Sequence, residues 1–335
     1  MRPLFCLTLS TAALTTQARA TILAAPLVTD SAPAFNATTF VAPNAVDGTS
    51  AEYASSGQGT LTFLQFTFPA PATFNSIVVI NRDSAGFSDR IGNFTLTYDG
   101  GPASTAITRT PLRGASLLHP LGSNVTATTV RLTVNSIGTG DAFNNTGAME
   151  VLFVRRPDGM LPVTGVSIFG SATAFNGNYA ATNAIDGEIG RSTAAGDTPE
   201  YASQSLGLGA FVDFDMGAIR PLSGFDWFDR PAAADRVTGF DMIFSQDAVF
   251  GNGDDITRPY TNSGMALGDT FAPINARYVR YDVTASGAGL NTGLSEIYFY
   301  QVPEPSSAAL LLAGVLLMRR RRASLMEAVT SVDAS

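Results

Sequence analysis

Short runs in which apolar and polar residues alternate recur along the chain. Phe94–Tyr98 and Phe211–Asp215 both alternate with a period of two, which is typical of β-strands with one buried face. Further strands are predicted at Ile77–Ile80, Val130–Val134, Phe225–Phe228, Phe240–Phe244, Tyr278–Val283 and Ile297–Tyr300. Turn residues separate these runs and no long amphipathic helix lies between them, so the pattern predicts antiparallel β-sandwiches.

An internal repeat divides the chain, with an offset of 139 to 149 residues between matching segments. The matches are Ser31–Asn36 with Ser171–Asn176, Asn44–Gly48 with Asn183–Gly187, Glu52–Ser55 with Glu200–Ser203, Phe63–Phe66 with Phe211–Phe214, Asn81–Asp83 with Phe228–Arg230, Asp89–Phe94 with Asp235–Phe240, Val130–Arg131 with Val279–Arg280 and Thr146–Val151 with Thr292–Ile297. Composition alone does not repeat so many segments in one order. Two similar domains are therefore predicted, at 26–155 and 163–301, with the turn-rich segment 155–159 between them.

Both ends of the chain are typical of targeting segments. Residues 1–20 combine an early Arg2, a short apolar stretch and Ala18-Arg19-Ala20, which predicts a secretory signal peptide. Residues 302–335 contain Pro303-Glu304-Pro305, an apolar run over 308–318 and the cluster Arg319, Arg320, Arg321 and Arg322. This order of parts resembles the PEP-CTERM sorting signal. The resemblance implies processing by an exosortase, with transient inner-membrane anchoring through a short C-terminal hydrophobic helix, and release to the outer cell surface or extracellular matrix of a Gram-negative bacterium.

Charge and reactive side chains narrow the function classes. Lysine is absent, and between the two targeting segments the chain has 14 Arg and 25 acidic residues, a net charge of −11. Such a balance argues against nucleic acid and against docking on anionic lipid, and is compatible with neutral sugars or divalent cations. Cys6 lies in the signal peptide and His119 is the single histidine, so thiol chemistry and histidine-based triads find little support.

Each repeat resembles the discoidin, or coagulation-factor type C, domain. The resemblance rests on an early Asn-Ala-x-Asp-Gly, a Phe-x-x-Phe strand, an Arg-(Ile/Val)-x-x-Phe segment, a late Val-Arg pair and a closing Gly-x-x-Glu-(Ile/Val) strand. It implies an all-β fold of two tandem antiparallel jelly-roll β-sandwiches of the galactose-binding-like kind. The second repeat is closer to the family in Phe211–Phe214, whereas the first has Gln65 where the second has Asp213, so the first is expected to be the degenerate copy.

The resemblance also implies a binding module, because members of this family mostly bind glycans, and sometimes lipids or proteins. Sugar sites combine an aromatic platform with polar groups that fix the hydroxyls. The candidates in the second repeat are Tyr179, Tyr201, Asp229 and Arg230, and those in the first are Tyr53, Arg82 and Phe87. Core packing is the alternative for every aromatic, and Trp227 is expected in the core. Asp89-Arg90 and Asp235-Arg236 are expected to be structural pairs at strand starts.

Many carbohydrate-binding relatives of this fold hold a structural Ca²⁺, and the resemblance implies one in each repeat. The matching positions are Asn44, Asp47, Ser50 and Glu150 in the first repeat and Asn183, Asp186, Thr193 and Glu296 in the second. Calcium needs six to eight oxygen ligands. The alternative is that Asp47 and Asp186 only cap a turn. Asp247–Asp255 has acidic residues but lacks the closing Glu of an EF-hand loop, so a hairpin turn is predicted there instead.

The first hypothesis is therefore an exported, non-enzymatic carbohydrate-binding protein of the cell envelope or exopolysaccharide matrix. The second is a structural or adhesive matrix protein that binds a protein partner through the same loops, without a sugar site. A glycosidase or lyase is a third reading, since acidic pairs remain available among the 25 acidic residues. It is the least favoured, because two sandwiches leave no chain for a catalytic domain.

Overall fold

A computed structural model describes residues 21–303 except 24, 84–88, 110–112, 139–142, 157–158, 191–199 and 231. The strands are β1 (Thr21–Ile22), β2 (Leu27–Ser31), β3 (Phe63–Asn81), β4 (Phe94–Tyr98), β5 (Ala115–Ser116), β6 (Leu118–Val134), β7 (Ala148–Arg155), β8 (Leu161–Pro162), β9 (Ser167–Ser171), β10 (Ile189–Gly190), β11 (Tyr201–Ala202), β12 (Phe211–Phe228), β13 (Val237–Ser245), β14 (Ile256–Thr261), β15 (Ala266–Ser286), β16 (Gly293–Leu294) and β17 (Glu296–Gln301). Short 3-10 helices are formed by Ala42–Val46, Gly59–Leu61, Gly177–Tyr179, Ala181–Ile185, Gly207–Gly209 and Ala233–Asp235. Among the described residues, no helix is long and apolar enough to cross a membrane. The predicted signal peptide and the sorting segment from Glu304 onward lie outside these residues.

The first half of the chain forms one antiparallel sheet in the order β1-β7-β3-β6-β4, with β2 also paired to β3. The long strand β3 changes partner along its length: its start pairs with β2, and its end pairs with β7. A register shift between Thr67 and Ala72 separates the two parts. Because of this change of partner, the two ends of β3 lie in different parts of the sheet, beside β2 at one end and beside β7 at the other.

The second half repeats the arrangement. Its sheet runs β14-β13-β15-β12-β17-β8, with β9 also paired to β12. The prediction of an all-β fold with sandwich-like sheets is confirmed, and every predicted strand lies within an observed one. Phe211–Asp215 and Phe225–Phe228, predicted as separate strands, are the two ends of the single strand β12, which has register shifts between them. The predicted hairpin at Asp247–Asp255 is also confirmed, because β13 and β14 pair antiparallel on either side of it.

Each half has its own apolar core. In the first half, Phe153 packs in a T-shaped geometry against Phe66, Phe68 and Phe74. In the second, Trp227 is fully buried, as predicted, and its ring centroid lies 4.9 Å from that of Phe240. The alternating pattern along the strands places these large rings inward, where burial of apolar surface stabilises the sandwich.

A third apolar cluster lies between the two halves. It combines Val78, Ile80 and Met149 of the first half with Phe228 and Met265 of the second. The short strands β5 and β10 add an antiparallel pairing across the same boundary. The two halves are therefore joined by a packed interface in addition to the connecting segment.

The sheet registers correct one detail of the predicted repeat. Ile80 lies opposite Glu150, and Phe228 lies opposite Glu296. Phe228 is therefore the equivalent of Ile80, so Arg230 is the equivalent of Arg82 rather than of the residue after it. The sequence alignment was one residue out of register here, because neighbouring apolar and polar positions give two similar matches.

Candidate functional site

Three loops meet at one end of each sandwich. In the first half they are 33–40, 54–61 and 143–146, and in the second half 173–179, 202–209 and 289–292. We call these two surfaces the first and second loop ends. Backbone hydrogen bonds join the loops at equivalent places: the Phe35 and Phe175 amides each donate at 2.7 Å, to the carbonyls of Ala54 and Ala202. Both loop ends thus have the same backbone frame.

A buried ion cluster lies beneath the first loop end. Arg82 Nε lies 3.0 Å from Glu52 Oε2, and Arg82 Nη1 lies 3.2 Å from Asp89 Oδ2. The same Nη1 donates to the Asn145 carbonyl at 2.7 Å. Both carboxylates and the guanidinium are nearly excluded from water, with side-chain exposures of 5 to 8%. The cluster therefore ties three separate loop segments to one cation.

The second loop end repeats this cluster with equivalent residues. Arg230 Nη2 lies 3.0 Å from Glu200 Oε1, and Nη1 lies 3.1 Å from Asp235 Oδ2. Arg230 Nη1 also donates to the Asn291 carbonyl. Burial by itself lowers the Arg230 pKa, but the charges and hydrogen bonds of Glu200 and Asp235 raise it overall. Asp89 and Asp235 thus have a structural role in ion pairs with Arg82 and Arg230, which are not the neighbouring arginines, Arg90 and Arg236, that the sequence pattern paired with them.

An aromatic pair lies at the surface of each loop end. Phe35 and Phe40 have ring centroids 5.9 Å apart, and Phe175 and Tyr179 are 5.6 Å apart, both in T-shaped geometry. Phe35 is 54% exposed and Phe175 is 45% exposed. The guanidinium carbon of the buried arginine lies 5.3 Å from the Phe40 centroid in the first half and 5.9 Å from the Tyr179 centroid in the second.

Local sequence explains why these rings face solvent. Asn36 and Asn176 follow the exposed phenylalanines, and their side-chain oxygens accept backbone amides two residues later, at 2.9 Å in both copies. Such Asx turns reverse the chain directly after the ring. The ring before the turn is left outside the sandwich, whereas the ring after it packs half-buried against the first. The result is a rigid apolar surface beside fixed polar groups, which is what a small-molecule site requires.

Two of the predicted ligand-binding residues prove to be core residues. Tyr201 is fully buried and its hydroxyl donates to the Ala172 carbonyl at 3.0 Å. Asp229 is 1% exposed and accepts the amides of Arg230 and Val237, and burial raises its pKa well above the ordinary value. Neither side chain offers a surface to a ligand. The prediction failed here because both residues adjoin loops in sequence while their side chains point into the sandwich.

The other candidates divide in the same way. Tyr53 is buried, and its hydroxyl donates to the Ala32 carbonyl at 2.7 Å. Arg82 and Arg230 are held inside their ion clusters, where they position the loops. Of the predicted ligand-binding residues that the structure describes, Tyr179 has an accessible ring. Phe87 lies outside the described residues. Burial, followed by the charge of Arg109, lowers the His119 pKa to about 4, which is the environment of a packing residue.

The structure identifies two surface residues that sequence reasoning missed, Phe35 and Phe175. They belong to the repeated Ser-Ala-x-Ala-Phe-Asn segment, which by itself indicated only duplication. A large apolar side chain directly before an Asx turn, in both copies, was the available signal.

The predicted calcium residues come together in part. Gly48 donates its amide to Glu150 Oε2 at 2.9 Å, and Gly187 donates to Glu296 Oε2 at 2.8 Å. Both glycines have a positive φ, 67° and 90°, which lets the turn present its amide to a glutamate more than 100 residues later. The closing Glu thus reaches the Asp-Gly turn in each copy.

Other members of the predicted set have local roles. Asp47 and Asp186 accept the amide two residues later, at 2.7 and 2.8 Å, which is the turn-capping alternative. Asn44 and Asn183 use their amide nitrogens to hold loop carbonyls. Ser50 is exposed, and Thr193 lies outside the described residues.

A buried carboxyl group adjoins each Asp-Gly turn. Burial, and then the charge of Asp47, raise the Glu150 pKa to about 8, with the Gly48 amide and Arg236 acting against them. Burial also raises the Glu296 pKa well above its usual range, and Asp186 and Glu188 add to this effect. Cavities of about 400 and 340 Å³ adjoin the two turns. However, no group of three or more acidic, histidine or cysteine side chains converges among the described residues, so a cation would depend on carbonyl and hydroxyl oxygens as well.

A family model matches the second half of the chain, whereas some similar solved structures cover most of the chain. A family described as a domain of unknown function (DUF7402) matches residues 166–300. No curated protein matches the chain. Solved structures with similarity include a fucolectin from the serum of striped bass, Morone saxatilis, which is 15% identical and covers 81% of this chain and 94% of its own, with a TM-score of 0.34.

Two further solved structures are bacterial. The CBM32-1 and CBM32-2 domains of Clostridium perfringens ZmpB are 9% identical, cover 84% of this chain and 94% of their own, and have a TM-score of 0.34. An F5/8 type C domain from Bacteroides fragilis is 20% identical and covers 44% of this chain and 99% of its own, also with a TM-score of 0.34. TM-scores this far below 0.5 do not carry the binding properties of those domains over to this chain.

Proposed function

We propose that the chain is an exported, non-enzymatic carbohydrate-binding protein of the cell envelope or exopolysaccharide matrix. It is built from two discoidin-like copies, and each copy binds a glycan at the aromatic pair of its loop end. Phe35 with Phe40 forms the platform in the first copy, and Phe175 with Tyr179 forms it in the second.

The observation that carries this proposal is the recurrence of one exposed aromatic pair in both copies. An apolar ring on the surface contributes little to the core, and a single one would need no explanation. Two equivalent pairs, each beside a buried arginine cluster that fixes the loops, indicate a surface kept for binding. The apolar C–H face of a sugar ring stacks on such a platform, while backbone groups and Asn side chains of the surrounding loops accept or donate to its hydroxyls.

Export and calcium complete the proposal. The sequence features of both termini support secretion, anchoring by the C-terminal segment and processing by an exosortase-type enzyme. One Ca²⁺ per copy would lie between the Asp-Gly turn and the closing Glu, at Asp47 and Glu150 in the first copy and at Asp186 and Glu296 in the second. Calcium is a hard cation that binds oxygen ligands, so it would hold together the loops that carry those oxygens. The buried carboxylates of Glu150 and Glu296 support the assignment of calcium to these positions.

The test is a glycan array with the full-length chain, followed by titration of the best ligand. Phe175→Ala should weaken binding at the second loop end about tenfold, or about 1.4 kcal/mol, and Phe35→Ala should do the same at the first. The matched control is Phe169→Ala, because Phe169 is 43% exposed in the same copy but lies on strand β9, where its ring contacts Tyr278. Glycan binding that is equal in all three variants would reject the loop ends as the sites.

A protein partner is the second candidate function, and exposed apolar residues favour it. At the second loop end Leu206, Leu208 and Leu290 are 42 to 58% exposed, and at the first Leu61 and Phe143 exceed 70%. Exposed apolar clusters mark protein-binding surfaces. Matrix adhesion that survives excess free glycan but is lost in Leu208→Ser would favour this function over sugar binding.

A further inference from the structure

A polar cleft lies where the two halves meet. It has a volume of about 430 Å³, within the range of small-molecule sites. Asn75, Ser123 and Asn124 line it from the first half, Arg156 from the connecting segment, and Tyr300 from the second half. We call this the boundary cleft.

The backbone of Arg156 is held in place by one side chain. Asn75 Nδ2 donates to the Arg156 carbonyl at 2.9 Å, and the Arg156 amide donates to Asn75 Oδ1 at 2.8 Å. Asn75 Nδ2 also lies 3.1 Å from Asn124 Oδ1. These two hydrogen bonds with Asn75 therefore fix the backbone of Arg156, the residue at which the connection between the halves begins.

The side chain of Arg156 is fixed as well. Its Nε donates to the Tyr300 hydroxyl at 3.0 Å, and its guanidinium carbon lies 5.0 Å from the Tyr300 ring centroid. The Tyr300 hydroxyl in turn donates to Asp226 Oδ2 at 2.5 Å, and Asp226 is fully buried. This chain of contacts orients the guanidinium before any ligand arrives, which reduces the entropy lost on binding.

The terminal nitrogens of Arg156 have no such partner. Within the described part of the chain, Arg156 Nη1 and Nη2 make no hydrogen bond and no ion pair, and the side chain is half-buried. Other arginines, such as Arg277 and Arg280, hold an aspartate with two nitrogens each, at 2.6 to 2.9 Å. The planar guanidinium of Arg156 thus has two terminal nitrogens available to a ligand in the boundary cleft.

We propose that the boundary cleft binds an acidic sugar, with the two terminal nitrogens of Arg156 pairing with its carboxylate. A guanidinium edge matches a carboxylate in two parallel hydrogen bonds. Ser123 and Asn124 line the same cleft, so ring hydroxyls of the same ligand would lie beside them. This inference rests on the proposed carbohydrate-binding function and adds a separate site and a substrate class, a uronic acid or a polymer that contains it.

The experiment measures binding of D-glucuronate, D-glucose and acetate to the full-length chain by calorimetry or ligand-observed NMR. Glucuronate and glucose share their ring hydroxyls, so their difference isolates the carboxylate, and acetate isolates the anion without the ring. Glucuronate should bind at least tenfold more tightly than either. Equal binding of glucuronate and glucose would overturn the proposal, and equal binding of acetate would reduce the site to a simple anion site, which also overturns it.

Variants then assign the effect. Arg156→Gln should reduce glucuronate affinity at least tenfold, whereas the control Arg277→Gln, which removes the same charge from the surface of the second half, should not. If Arg156→Gln lowers the melting temperature, Arg156→Lys keeps the charge near Asp226 but lacks the planar fork, and it should still lose the glucuronate preference. Unchanged glucuronate affinity in Arg156→Lys would refute the bidentate contact.

The two proposals fail separately. Phe35→Ala and Phe175→Ala should leave the glucuronate preference intact, because both residues lie at the loop ends. Suppose that glucuronate is preferred through Arg156, but that Phe35→Ala and Phe175→Ala do not weaken glycan binding. The boundary-cleft proposal would then stand, and the proposal of glycan sites at the loop ends would be rejected.

Discussion

Replacement of Arg230 by Gln should destabilise the second half strongly, because it removes the cation that pairs with the buried carboxylate of Glu200. Glu200 has no exposed side-chain surface and lies 3.0 Å from Arg230 Nη2. At that separation, an effective dielectric constant of about 20 gives roughly 5 kcal/mol of attraction. The variant no longer has to desolvate a guanidinium, which offsets part of the loss. The expected net cost is about 3–5 kcal/mol, as for other buried pairs that lose one partner.

The assay is urea unfolding of the full-length chain followed by tryptophan fluorescence. The chain has a single tryptophan, and Trp227 is buried in the core of the second half. Its emission therefore reports on the half that contains the substitution. A loss of 3–5 kcal/mol should lower the urea midpoint by about 2 M, at an ordinary m-value for a domain of this size.

Two further variants decide whether the ion pair is the cause. Arg82→Gln breaks the equivalent cluster in the first half, so it should move the Trp227 transition much less than Arg230→Gln does. The double variant with Glu200→Gln removes both charges, and should cost less than the two single variants together by at least about 1.5 kcal/mol. An unchanged midpoint in Arg230→Gln, or full additivity in the double variant, would refute the reasoning.

Four other predictions concern the core, the cations, the boundary and the sorting segment. Phe240→Ala should cost about 3–5 kcal/mol because the ring is fully buried against Trp227, and an unchanged Trp227 unfolding midpoint would contradict its role in the core. A chelator should lower the melting temperature of the second half, and Asp186→Ala should abolish that sensitivity. A melting temperature that changes neither with calcium nor with chelator would exclude the ion from that copy. Burial raises the Asp226 pKa to about 6, although the Tyr300 hydrogen bond and the Arg156 charge lower it. Because the pKa of this carboxyl is higher in the folded than in the unfolded chain, its protonation stabilises the fold. That stability is complete below the unfolded-state pKa of about 4 and is lost as the pH rises through about 6. The loss should be roughly 3 kcal/mol, and Asp226→Asn, compared over pH 4 to 7, should lack it. Finally, replacing Pro303-Glu304-Pro305 should keep the protein at the inner membrane with its tail attached, as seen by fractionation and immunoblotting, and normal release of full-length protein would contradict the sorting prediction.

The strands were predictable from sequence because their alternation is local, but their continuity was not. Gly217 and Pro221 lie between the two predicted segments of β12 and are typical of a break. In the structure Gly217 has a φ of 76°, and the register with β15 shifts between Asp215 and Arg220. Long-range pairing carries the strand through residues that locally favour a turn.

The candidate site was less predictable, because exposure depends on where the chain turns. Tyr201 and Phe175 are both aromatic residues beside loops, yet Tyr201 is fully buried and Phe175 is 45% exposed. The Tyr201 hydroxyl finds a buried carbonyl, whereas Phe175 precedes an Asx turn that leaves its ring outside. The neighbours of Arg156 in sequence are typical of a linker, and its place in a cleft arises only when Tyr300, 144 residues away, is brought beside it.

The interface between the halves has a consequence for the origin of the chain. Val78 pairs with Leu152 in the first half, and the equivalent Asp226 pairs with Tyr298 in the second. Ile80 and its equivalent Phe228 lie in the same interdomain cluster, so each copy presents the same face to the other. A surface that meets its own counterpart is isologous, as in two-fold symmetric homodimers. The interface is therefore what the fusion of two homodimer subunits would give, and the two faces now differ, because the second copy has Asp226 and Tyr298 where the first has Val78 and Leu152.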